Sequence, residues 1–75
     1  MEIREAIDIV STGGTAMSTQ YLYSQRNAYI TYEGPGRPMK LRSFKNPALA
    51  TDWVPTPTEL LAQDWQVFAK PVASK

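Results

Sequence analysis

The apolar residues Ile3, Ala6, Ile7 and Val10 recur at the i, i+3, i+4, i+7 spacing of one helical face. Glu2 and Glu5 fall in the first turn of such a helix, where the aligned peptide dipoles favour carboxylates. Gly13-Gly14 supplies the positive φ on which many helices end. The spacing predicts a helix over about residues 2–11, too short to persist in water without packing on something.

Beyond the glycines the period changes. Thr15 to Thr19 is compatible with a short, weak strand, and residues 19–27 show neither period and read as a loop with two tyrosines. Ala28-Tyr29-Ile30-Thr31-Tyr32 is β-branched and aromatic, which predicts a strand. Gly34-Pro35-Gly36-Arg37-Pro38 is a turn, because proline removes donors and glycine permits unusual angles. Residues 39–44 alternate again and pair with the preceding strand as a hairpin. On that second strand Met39 and Leu41 share one face, and Lys40, Arg42 and Phe44 the other.

Residues 45–52 read as a loop around Asn46-Pro47. The strongest local signal follows: Thr56-Pro57-Thr58-Glu59 has a capping hydroxyl, a proline at the first helical position and a glutamate at the third. It predicts a short helix to about Gln63, anchored by Leu60 and Leu61. Trp65, Val67 and Ala69 then alternate with Gln66, Phe68 and Lys70 as a last strand, with Trp65 in the core. The tail, residues 71–75, is expected to fray from an ordered core of about 2–70. The fold class expected is α+β: one domain with a small antiparallel sheet, an N-terminal helix and a short C-terminal helix.

Composition narrows what such a domain can do. With 43% apolar and 20% charged residues the chain is globular rather than disordered. At 75 residues it buries only about 60% of the surface its unfolded form exposes. Chains of this size usually need disulfides, a metal or partner subunits. There is no cysteine and no histidine, which excludes disulfides, thiol redox chemistry, His-dependent nucleophilic catalysis and the usual zinc ligands. Self-association, as a homo-oligomer, is the remaining expectation. No apolar run approaches the length of a bilayer span, so no membrane partner is expected, and nothing marks a secretory signal.

The formal net charge is only +1, but it is unevenly spread. Arg37, Lys40, Arg42 and Lys45 give residues 34–50 a net charge of +4 without a single acid. Four cations are too few for duplex nucleic acid, which is not an expected partner. Lys40, Arg42 and Phe44 on one strand face fit phosphate and base contacts, although surface strands more commonly carry such residues as a solvated face. Tyr21, Tyr23, Arg26 and Asn27 bring stacking faces and oriented donors within seven residues, and equally could cover a small core. Trp53 lacks the period of Trp65 and is a candidate pocket residue. The carboxylates show no pairing suited to acid–base work, Gly34-Pro35-Gly36 lacks the context of a phosphate loop, and neither catalysis nor a cofactor is expected.

The opening Ile3-x-x-Ala6-Ile7-x-x-Val10-x-x-Gly13 and, more specifically, the segment from Trp53-Val54-Pro55-Thr56-Pro57 through Leu60-Leu61-Ala62-Gln63-Asp64-Trp65-Gln66-Val67 resemble the Thoeris anti-defence protein 2 family of phages and prophages. After the first glycine that family has a basic residue and a Gly-Trp-Asn-like stretch, where this chain has Ser18 and Gln20-Tyr21-Leu22. The resemblance implies a homotetrameric sponge in the cytoplasm of the infected bacterial host. Such a sponge sequesters cyclic ADP-ribose-type signals or cyclic oligonucleotides without degrading them. On that expectation Tyr21 and Trp53 stack bases, and Arg26 neutralises phosphate with Arg42 as a further contact. Asn27, Thr58 and Glu59 hydrogen-bond base or ribose edges. The alternative is a protein-binding module that docks an acidic host protein through the basic hairpin and the tyrosine loop, in a salt-sensitive way.

Overall fold

A computed structural model of the chain describes residues 1–13 and 15–69. Gly14 and the tail expected to fray lie outside them. The N-terminal amphipathic pattern forms helix α1 (Ile3–Gly13), which buries Ala6 and Val10 and runs two residues beyond the expected end. Strand β1 (Ala16–Ser18) follows, then helix α2 (Gln20–Gln25), strands β2 (Ala28–Thr31), β3 (Lys40–Ser43) and β4 (Ala50–Asp52), helix α3 (Pro57–Leu61) and strand β5 (Gln66–Phe68). The α+β expectation holds.

The five strands form one antiparallel sheet in the order β4-β3-β2-β1-β5. Its register lines up Val67, Met17, Ile30 and Leu41 across four neighbouring strands. Met17 and Ile30 join Ala6 and Val10 of α1, Leu22 of α2 and Trp65 in the core, and Leu41 and Val67 pack at its margin. The helices therefore cover one side of the sheet. By alternation, Ala16, Ser18, Tyr29, Thr31, Lys40, Arg42 and Phe68 face the other side.

Two segments read as loops are ordered elements. Residues 20–25 are helical because the Thr19 side chain accepts the Leu22 N–H at 3.1 Å, capping a helix of six residues, too short to show a period. Residues 50–52 form β4, whose ladder continues through the Trp53 N–H donating to the Met39 carbonyl at 2.8 Å. The weak strand after α1 is β1, and it is paired on both sides. The capping box at Thr56 is present, with Glu59 donating no proton but accepting the Thr56 N–H at 3.1 Å. Helix α3 stops at Leu61, short of Gln63, because Ala62 turns to extended geometry. Trp65 is 1% exposed, in the core as its period indicates, and its indole N–H donates to the Glu59 carbonyl at 3.0 Å. Among the described residues no helix is long and apolar enough to cross a membrane.

Candidate functional site on the open face of the sheet

The side of the sheet away from α1 carries a cluster of four aromatic rings drawn from four different elements and their margins. Tyr29 of β2 is 1% exposed and forms its floor, 4.7 Å from the Phe44 ring and 6.1 Å from the Phe68 ring, centroid to centroid. Phe44 and Phe68 lie nearly parallel, 26° apart in plane with centroids at 5.9 Å. Tyr23 stands edge-on to Phe44 at 5.4 Å and 87°. Such offset and edge-to-face arrangements place positive ring edges against negative ring faces.

Helix α2 makes this possible. It bridges β1 and β2 at one end of the sheet, where Leu22 turns into the core and Tyr23 onto the open face. A cavity of about 410 Å³ opens beside the rings, lined by Ser18, Thr19, Gln20, Tyr23, Phe44, Gln66 and Phe68. That volume lies within the ordinary range of small-ligand sites, roughly 300–1,000 Å³. Among the described residues the lining holds three rings, one of them the phenol of Tyr23, two aliphatic hydroxyls and two carboxamides, and neither a carboxylate nor a cation. Ser18 Oγ donates to the Ala28 carbonyl at 2.8 Å, and Thr19 Oγ1 caps α2, so both hydroxyls serve the fold.

No known protein family, characterised protein or solved structure matches this chain. The site must be read from its own residues.

The residues expected to bind a ligand fall in separate places. Tyr21 is 61% exposed on α2 and, two residues from Tyr23, points away from it. Arg26 caps the C-terminus of α2, and Asn27 follows in the left-handed region at φ 51°. The Asn27 carbonyl accepts the Phe44 N–H at 2.9 Å, which sets the Arg26-Asn27 backbone beside Phe44-Lys45 at one end of the aromatic cluster. Arg42 lies on the open face with its guanidinium engaged inside the chain. It donates to Thr31 Oγ1 at 3.1 Å, the Pro47 carbonyl at 2.8 Å and Glu33 Oε2 at 3.2 Å. Trp53, Thr58 and Glu59 lie toward the helical side. The Trp53 ring packs against the core, 5.8 Å from Trp65, and its N–H donates to Glu59 Oε1 at 3.1 Å, while Thr58 is exposed on α3.

Of the cavity's lining, Tyr23 and Phe44 carried a recognisable signal, the first within the polar tyrosine segment and the second by its parity with Lys40 and Arg42. Ser18, Thr19, Gln20, Gln66 and Phe68 did not. Gln66 and Phe68 reach the site because β5 pairs with β1, placing Gln66 opposite Ser18 and Phe68 opposite Ala16. Strand order between distant segments has no local sequence mark.

Proposed function

We propose that this protein is a binding protein without catalysis of its own, which captures a cyclic nucleotide-derived signal and holds it intact. The observation that carries this reading is the aromatic cavity on the open face, walled by Tyr23, Phe44 and Phe68. Stacking on aromatic rings contributes about 1–3 kcal/mol per base and tolerates any base, since each has a flat π-face. Hydrolysis asks for more, a general base or activated nucleophile within hydrogen-bond reach of the scissile group. Among the described residues Tyr23 contributes the sole ionisable side chain in the lining.

The family resemblance supplies the ligand class, cyclic ADP-ribose-type or cyclic oligonucleotide signals, and the phage anti-defence role in the host cytoplasm. Arg26, at the end of the cluster, neutralises phosphate in this reading. A homo-oligomer, a tetramer by the resemblance, adds the enclosure that so small a chain does not provide alone. Exposed apolar surface around α3 supports self-association: Val54 and Leu61 are each 79% exposed beside the half-exposed Leu60.

Isothermal titration against cyclic ADP-ribose isomers and cyclic di- and trinucleotides tests the proposal, with each ligand recovered after heat denaturation and weighed by mass spectrometry. Binding with the ligand returned unchanged is expected. Absence of heat with the whole panel, or recovery of a cleaved product, overturns it.

A further inference from the structure

We infer that the part of the ligand this cavity takes is the nucleobase alone, an uncharged flat heterocycle, with sugar and phosphates left outside. The inference rests on the binding function proposed above and specifies its chemistry. Two observations carry it. The first is that no charged side chain lines the cavity among the described residues, so a phosphate inside would lose its water without gaining a counter-ion from them. The second is the pair of carboxamides. The Gln20 and Gln66 side chains line the cavity, and among the described residues neither makes a hydrogen bond.

A carboxamide presents one acceptor and one two-proton donor group side by side. That is the complement of a nucleobase edge, which alternates acceptors and donors in the plane of the ring. The rings of Phe44, Phe68 and Tyr23 supply faces for that plane. Two cations close to the lining in the chain, Arg26 and Lys45, flank the Asn27–Phe44 contact instead, where they meet a phosphate that stays in solvent.

The test titrates the full chain with adenosine, guanosine, cytidine and uridine, with ribose 5-phosphate as the base-free probe. Titrations run at about 50 mM and about 500 mM NaCl, since only exposed charge contacts are screened over that range. At least one nucleoside is expected to bind, with a Kd that changes less than about twofold with salt, and ribose 5-phosphate is not. The Gln66→Leu variant, altered at an exposed position of an edge strand, is expected to keep the wild-type circular dichroism spectrum and to weaken that nucleoside about fivefold, the effect of one neutral hydrogen bond. Binding of ribose 5-phosphate, a tenfold or greater loss at high salt, or full affinity in Gln66→Leu overturns the inference. Should cyclic nucleotides bind while no nucleoside does, base-only recognition fails and the sponge reading survives. Should neither bind, both fail.

Discussion

Glu59 holds Trp53 through a single oxygen: the indole N–H donates to Oε1 at 3.1 Å, and the same oxygen accepts the Thr56 N–H at 3.1 Å. Its own carbonyl accepts the indole N–H of Trp65 at 3.0 Å. One glutamate thus caps α3 and fixes both tryptophans, whose rings meet edge to face at 5.8 Å.

Replacing it tests that arrangement. Glu59→Ala removes two hydrogen bonds to a carboxylate, one of them half of the capping box, and is expected to cost about 3 kcal/mol. Glu59→Gln keeps an acceptor oxygen and is expected to cost about 1 kcal/mol. Urea denaturation followed by tryptophan fluorescence separates the two, and a Glu59→Ala variant as stable as wild type would show that the carboxylate contributes nothing.

The two cations of β3 differ in what they do. Arg42 is three-quarters buried and spans Thr31, Glu33 and Pro47, whereas Lys40 pairs with Asp52 near solvent. Arg42→Met is expected to destabilise by about 1–3 kcal/mol and Lys40→Met by less than about 1 kcal/mol. Thermal melts of both variants decide it. Arg42→Lys should not rescue, because an ammonium lacks the planar fork that reaches three acceptors at once.

Asn27 takes a left-handed conformation, φ 51°, at the turn from α2 into β2 while its carbonyl binds the Phe44 N–H. Asn27→Gly is therefore expected to change stability by no more than about 0.5 kcal/mol. Asn27→Val, whose branched Cβ clashes there, is expected to cost about 1–2 kcal/mol. Denaturant midpoints measure both, and a neutral valine would mean that the turn relaxes.

Tyr21 and Tyr23 give the sharpest functional contrast. Tyr23 touches Phe44 and lines the cavity, and Tyr21 does neither. Tyr23→Ala is expected to weaken a bound cyclic nucleotide at least about tenfold, the loss of one stacking face, with Tyr21→Ala within about twofold of wild type. Titration of both variants reads the result, and the reverse order would move the ligand to the outer side of α2.

The legible parts of this fold are those with local chemistry. Thr56-Pro57-Thr58-Glu59 names its own helix, and the alternation on either side of Gly34-Pro35-Gly36 names the hairpin and sorts Leu41 from Arg42. Helix α2 and strand β4 are six and three residues long, below any period, and they hold by one hydroxyl cap and by pairing with β3. The cavity was legible only in fragments, since its walls come from segments near residues 18–23, 44 and 66–68 that meet through sheet order. Trp53 illustrates the opposite case. It lacks a period and so looks available, yet tertiary contacts with Trp65 and Glu59 occupy it.

Strand β5 is three residues long, lies at an edge of the sheet, and brings Gln66 and Phe68 to the cavity. The cavity therefore keeps all its walls only while that edge is zipped onto β1, and opening of β5 removes Gln66 and Phe68 from it. Ligand and edge are linked in one equilibrium: a saturating ligand adds its binding free energy to the closed form alone. Amide hydrogens that β5 donates across the β1 ladder should then exchange with solvent more slowly when the site is filled, by the factor 1 + [L]/Kd, and those between β2 and β3, which open only on global unfolding, should slow by the same factor, because the unfolded chain does not hold the ligand either.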